Sequence, residues 1–236
     1  MDATKVVLVT GANRGMGLEC CRQLASLDYR VILGSRNLEA GRQAAASLNS
    51  DRVEAVKLDV TSAEDIAVLA QSIEQDYGQL DVLINNAGIM IDGDDGHSPG
   101  IRDASIERIE QTFRANTLGP IMLINALLPL MERVADARIV NISSGMGQLS
   151  DMGANYPGYR LSKAALNAMT RIYAAELDAG RFSINVVCPG WVRTDMGGRN
   201  ADLSLQEGVD TAIWLATSDE ARHSGGFYRE RKLIDW

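Results

Sequence analysis

The chain has 236 residues, enough for one sizeable α/β core, and a net charge of −8 at pH 7. That acid excess argues against a nucleic-acid surface or an anionic-membrane surface, and no apolar run approaches the ~18–20 residues of a membrane span. Cys20, Cys21 and Cys188 are an odd number without metal-ligand spacing, so reduced thiols in a cytoplasmic protein are expected, with no metal site. The first residues, Met1-Asp2 and then a strand pattern, lack the charged and apolar regions of a signal peptide.

In chain order, Lys5-Val6-Val7-Leu8-Val9-Thr10 is a short β-branched run, as suits a strand buried on both faces. It leads into Gly11-Ala12-Asn13-Arg14-Gly15-Met16-Gly17 and a helical pattern from Leu18 to Leu27. Strand, glycine-rich turn and helix together form a phosphate cradle. The glycines let backbone approach a pyrophosphate, and the helix start offers unpaired N–H groups. The spacing is G-x-x-x-G-x-G rather than G-x-G-x-x-G, and the same turn without a ligand would be a tight βα connection.

The second strand, Val31-Ile32-Leu33-Gly34, ends in Ser35-Arg36, where an NAD-specific fold places an acid for the ribose hydroxyls. A guanidinium there suits a 2′-phosphate, and Arg14 is a second cation able to reach it; as plain surface arginines neither would have a ligand. With no acid to repel the phosphate, NADP(H) is the favoured cofactor. Further strands are expected at about 53–58, 81–85, 138–143, 183–188 and 232–234, and helices at about 37–49, 62–77, 105–133, 157–179 and 205–217. This alternation predicts an α/β fold: a doubly wound, Rossmann-type parallel sheet of about seven strands in a single domain over 1–236. The acidic, Gly-rich stretch Asp92–Ala104 reads as a mobile surface loop, and His97 and His223 as surface residues.

Tyr159 and Lys163 stand four apart at the head of a helix-prone run, so both lie on one face. A free phenol titrates near ~10, and a neighbouring ammonium would lower that value toward the working range of a proton donor. Y-x-x-x-K alone also fits a solvated helix face.

In order and spacing, Thr10-Gly11-x-x-x-Gly15-x-Gly17, Asn85-Asn86-Ala87-Gly88, Asn116, Ser144, Tyr159-x-x-x-Lys163 and Pro189-Gly190 resemble the short-chain dehydrogenase/reductase family over essentially the whole chain. Asn141-Ile142-Ser143-Ser144, the run Pro189–Met196 and the closing Lys232–Trp236 look most like its carbonyl reductase branch. The resemblance implies that Tyr159 protonates a carbonyl oxygen while nicotinamide delivers hydride to carbon. Ser144 would orient that oxygen, Lys163 would lower the tyrosine and bond the nicotinamide ribose, and Asn116 would hold a proton-relaying water. Strand alternation separates Ser143 from Ser144, and the family pattern favours the second. Asn116 read alone could be a simple exposed polar residue of the helix 105–133.

For the cofactor, the resemblance implies contacts from Gly11, Asn13, Arg14, Gly15, Met16 and Gly17, with Arg36 at the phosphate. Asp59 and Val60 would face adenine, and Asn86, Ala87 and Gly88 would back the ribose. Pro189, Gly190, Val192 and Thr194 would line the nicotinamide side, and Asn85 would tie central strands. Met90, Met146, Tyr156, Trp191 and Met196 are expected to line an apolar pocket for a small-molecule carbonyl, bulky or aromatic, although Met90 and Met146 could equally fill the core.

Animal monomeric carbonyl reductases carry a long insertion between serine and tyrosine; here only residues 145–158 intervene, which favours a homodimer or homotetramer through 105–133 and 157–179. Two other readings remain: alcohol or hydroxysteroid oxidation with NAD(P), and an NADP(H)-binding regulator without turnover.

Overall fold

A computed structural model describes residues 4–93 and 98–236, so His97 and part of the expected loop lie outside the described residues. The central sheet holds β1 (Val6–Val9), β2 (Arg30–Ser35), β3 (Val53–Lys57), β4 (Val82–Asn85), β5 (Ala137–Ile142), β6 (Phe182–Val187), β7 (Phe227–Arg229) and β8 (Lys232–Leu233). Its order is β3-β2-β1-β4-β5-β6-β7-β8, with every pair parallel except the antiparallel β7–β8. The strand order therefore reverses beside β1, where the crossing from β3 to β4 opens a crevice at the carboxyl ends of the strands.

Helices α1 (Gly15–Ser26), α2 (Leu38–Ser47) and α7 (Leu205–Thr217) cover one face of the sheet. Helices α3 (Ala63–Asp76), α5 (Gly119–Met131) and α6 (Pro157–Glu176) cover the other. β1 shows why its sequence carries no polar alternation. Val7 and Val9 pack into the first core and Val6 and Leu8 into the second, so both faces need apolar side chains. All three cysteines are free and buried. Among the described residues no helix is long and apolar enough to cross a membrane.

Three expectations are corrected. The helix expected over 105–133 is broken into α4 (Ile106–Phe113), a π turn (Arg114–Leu118) and α5. Pro120 has no N–H to give the Asn116 carbonyl, and the Gly119 N–H bonds Arg114 O instead, five residues back. Among the described residues the sheet has eight strands where about seven were expected. The extra parallel strand β7 follows Gly225-Gly226, and a two-residue turn at Glu230 and Arg231, both with positive φ (51° and 58°), returns β8 beside it. Finally, the expected loop is fastened at two of its described residues: Asp92 is buried, and Ser98 Oγ accepts the Tyr156 N–H at 2.6 Å.

Candidate active site

The turn after β1 is shaped by close approach. A Cβ on Gly11 (φ +61°) would fall 2.8 Å from Ala87 Cα, and one on Gly17 would fall 2.6 Å from Asn86 Nδ2. Thr10 fastens the two loops together: its Oγ1 accepts the N–H of Asn86 at 3.0 Å and of Ala87 at 2.9 Å. Asn86 Nδ2 in turn donates to Thr10 O (2.9 Å) and Gly11 O (3.1 Å). Both loops open on a groove of about 690 Å³. Gly11, Asn13, Arg14, Gly15, Met16 and Gly17 line it from one side, and Arg36, Asp59, Val60, Asn86, Ala87 and Gly88 continue the wall. Thr194 and Met196 also line it, with Arg193 and Asp195 beside them.

Glycine walls that a methyl group would fill, a helix start, and a guanidinium with no acid at the end of β2 fit a phosphorylated dinucleotide. Two details refine the expectation. Arg14 is turned to Asp195, its Nη1 lying 2.8 Å from the carboxylate. Asp59 Oδ1 already accepts the Thr61 N–H (2.9 Å) and hydroxyl (2.7 Å), leaving its other oxygen for the groove.

Pro189, Gly190 and Val192 are not part of this groove wall. Val192 is buried, with its side chain where a Cβ on Gly208 would collide and its backbone bridged to Leu203. Gly190 adopts φ +79°, and a Cβ there would lie 2.6 Å from Leu203 Cδ1.

At the head of α6, Tyr159 and Lys163 are both buried, at 8% and 4% exposure, so the solvated-face reading of the pair fails. The Lys163 ammonium lies 5.7 Å from the Tyr159 ring centroid and donates to Ile142 O at 2.7 Å. Burial pushes the Tyr159 phenol up to about 12, against the opposing pull of a Ser144 hydrogen bond. Burial also brings the Lys163 ammonium down to about 8. The expected lowering of the tyrosine by its lysine is not found here: desolvation sets the direction and the one opposing pull comes from Ser144.

The two serines divide as strand alternation predicts. Ser143 is buried and gives its hydroxyl to Asn167 Oδ1 at 2.6 Å, which commits it to α6. Ser144 accepts the Met146 N–H at 3.1 Å and reaches the Tyr159 phenol. Asn116, buried in the π turn, is no exposed helix residue. Its Oδ1 accepts the Ile89 N–H (2.8 Å), and its Nδ2 donates to Ile89 O (2.8 Å) and Ser162 Oγ (3.0 Å). A Cβ on Gly88 would lie 3.3 Å from Asn116 Oδ1 and 3.6 Å from Lys163 Nζ, so Gly88 lets asparagine and lysine come together. Asn85 donates to Asn141 Oδ1 at 2.8 Å between β4 and β5, tying the central strands as expected.

Met90, Met146 and Tyr156 are half-buried, and neither methionine belongs to a core cluster. Trp191 and Met196 are exposed, with the indole N–H held by Gly197 O at 2.8 Å. Sequence reasoning placed Thr10 in the turn motif without a role and missed Ser162 and Asp92. Asp92 accepts the Gly158 and Tyr159 N–H groups, and as one acid among several in a Gly-rich stretch it carries no local signal.

A family model described as short chain dehydrogenase matches residues 5–203, and the chain belongs to the short-chain dehydrogenase family. Within that family its likeness is to the carbonyl reductase branch. It is 30% identical to carbonyl reductase (NADPH) 1 of Sus scrofa, with 99% of this chain and 94% of that protein covered. It is also 30% identical to (+)-neomenthol dehydrogenase of Arabidopsis thaliana, with 99% and 98% covered. The NADPH-bound carbonyl reductase from chicken fatty liver superposes with a TM-score of 0.87 at 29% identity, with 99% of each chain covered.

Proposed function

We propose that this chain is an NADPH-dependent carbonyl reductase acting on bulky or aromatic ketones and aldehydes. The observation that carries the reading is the Tyr159 phenol, buried one helical turn before Lys163, with Ser144 near enough to pull it down. The glycine turn would hold the pyrophosphate, Arg36 and Arg14 the 2′-phosphate, and Lys163 the nicotinamide ribose. NADPH, when bound, supplies the hydride to the carbonyl carbon. Tyr159 Oη donates the proton to the carbonyl oxygen, giving the alcohol, and Ser144 Oγ hydrogen-bonds the same oxygen as charge develops on it. A phenol standing near 12 stays protonated at neutral pH, as a donor in the reductive direction must. Lys163, near 8, is able to return a proton to the phenolate, with Asn116 beside it.

Half-buried Met90 and Met146 support an adaptable apolar wall, and exposed Trp191 and Met196 an open one. Free buried thiols support a reducing, cytoplasmic setting. Exposed Ala168 and Ile172 on the outer face of α6 support a homodimer or homotetramer, and a monomer by light scattering at micromolar concentration would refute that.

The test is NADPH against NADH oxidation over aryl ketones, quinones, aldehydes and keto-steroids, with Tyr159→Phe as the control. The likeness to (+)-neomenthol dehydrogenase favours a second reading, oxidation of a cyclic secondary alcohol with NADP+. Faster NADP+ reduction with alcohols than NADPH oxidation with carbonyls would select it. Tight NADPH binding without turnover on either panel would select the regulator.

A further inference from the structure

The first turn of α6 lacks the usual cap. Tyr156 at the N-cap is left-handed (φ 52°, ψ 49°) and its side chain accepts no cap bond, while Pro157 has no N–H. The Gly158 and Tyr159 N–H groups are therefore donors without intrahelical acceptors. One carboxylate meets both. Asp92 Oδ1 accepts from Gly158 at 2.5 Å and Oδ2 from Tyr159 at 3.1 Å. Asp92 is 6% exposed and ends the segment running from Gly88, which Asn116 grips through both main-chain polar groups of Ile89. The head of α6 is thus fastened to the loop after β4.

We propose that Asp92 is a positioning residue for the proton donor, setting where the Tyr159 side chain stands relative to Ser144. The inference rests on the reading of Tyr159 as that donor. A carboxylate at a helix start is a strong acceptor, and two bonds to successive N–H groups fix both the height and the rotation of the turn. Without it the turn shifts and carries the phenol with it. Lys163, one turn deeper, keeps its own anchor at Ile142 O. The groove wall at Arg14, Arg36 and Gly11 is built from other elements and stays in place. Proton transfer suffers while cofactor binding does not.

The experiment compares Asp92→Ala, Asp92→Asn and Gly158→Ala, each alone and in a Tyr159→Phe background. A Cβ at 158 would lie 3.0 Å from Asp92 Oδ1 and displace the carboxylate. Misplacement of a reacting group by about 1 Å costs on the order of 100-fold, so kcat should fall by about that in Asp92→Ala and by roughly 10-fold in Asp92→Asn, which keeps one acceptor oxygen. The Kd for NADPH, read by fluorescence, should stay within about two-fold, and in the Tyr159→Phe background the Asp92 changes should add no further loss. Equal losses in both backgrounds, or a loss appearing mainly in the NADPH Kd, would overturn the proposal and leave the proton-donor reading intact. Full turnover by Tyr159→Phe alone would overturn that reading and this inference with it. If Asp92→Ala does not fold, Asp92→Asn and Gly158→Ala decide on the same criteria.

Discussion

Lys163 costs the fold stability, and the cost is measurable. Its ammonium is held near 8 by burial against an ordinary value of 10.5. At pH 7, below both values, the folded protein bears the full penalty of a buried charge. A difference of about 2.5 units at ~1.4 kcal/mol each is roughly 3 kcal/mol. Lys163→Met keeps length and removes the charge, but leaves Ile142 O without its donor, a loss of about 1 kcal/mol. The net expectation is a variant more stable by ~2 kcal/mol at pH 7, a rise in Tm of about 4–8 °C for a chain of this size. The sign with pH follows from linkage. The folded value lies below the unfolded one, so from about 8 to 10.5 the unfolded chain binds more protons and wild type gains stability relative to the variant. By pH 9.5 the wild-type penalty has fallen to ~1.5 kcal/mol and the two proteins should melt within a degree or two of each other. Thermal unfolding of both proteins at pH 7 and 9.5 is the assay, with NADPH oxidation run alongside to show that turnover is lost. A variant less stable at pH 7, or a gap that does not narrow with pH, would refute the account of Lys163 as a charged, desolvated amine.

Three further outcomes are expected. Arg36→Asp should lower kcat/KM with NADPH by roughly 10- to 100-fold, the worth of one charge-assisted phosphate contact, and raise activity with NADH; unchanged cofactor preference in steady-state kinetics would remove Arg36 from the phosphate site. Asp195→Asn frees Arg14 from an exposed ion pair worth ~0.2–1 kcal/mol, so the NADPH Kd should fall by about 1.4- to 5-fold at low salt and the difference should fade at high salt. Ser144→Ala should cost on the order of 100-fold in kcat with little change in Tm. Ser143→Ala should do the reverse, lowering Tm through the lost Asn167 bond while kcat stays near wild type, and equal kinetic effects would show the serines misassigned.

What was legible in the sequence was what is local. The glycine turn shows because strand, turn and helix are contiguous, and Tyr159 with Lys163 because helical spacing alone places them on one face. The break at 114–118 was hidden because the apolar pattern runs on through it. Its cause, Pro120, acts on a carbonyl four residues earlier and leaves no composition signal. β7 was missed because three residues after a Gly-Gly pair show no periodicity, and they become a strand only by pairing with Val186 and Val187 of β6. Side-chain direction in the turn after β5 was predictable from alternation, which is why Ser143 and Ser144 separate as expected. The ionisation of Tyr159 was not, because it depends on how completely the surrounding fold excludes water.

The buried polar residues of α6 share a physical role. α6 buries Ser162, Lys163, Asn167 and Thr170, and each polar group is met by a partner outside the helix or one turn away within it. Asn116 donates to Ser162, Ile142 O receives Lys163, Ser143 donates to Asn167, and Asn141 donates to Thr170. Apolar packing alone tolerates small sliding of a helix over a sheet, whereas a buried donor separated from its acceptor costs about 1–3 kcal/mol. Rotation of α6 about its axis would break several of these bonds together, so one orientation is strongly preferred. In the proposed reaction that constraint matters more than in a core helix, because a donating phenol would have to stay within reach of Ser144 through every turnover. The polar anchors come from β5, the π turn and the loop after β4, regions separated in sequence that meet only at the carboxyl edge of the sheet. The pair at 159 and 163 therefore marks the proposed site, while its positioning is supplied by side chains whose purpose appears only once the strands are aligned.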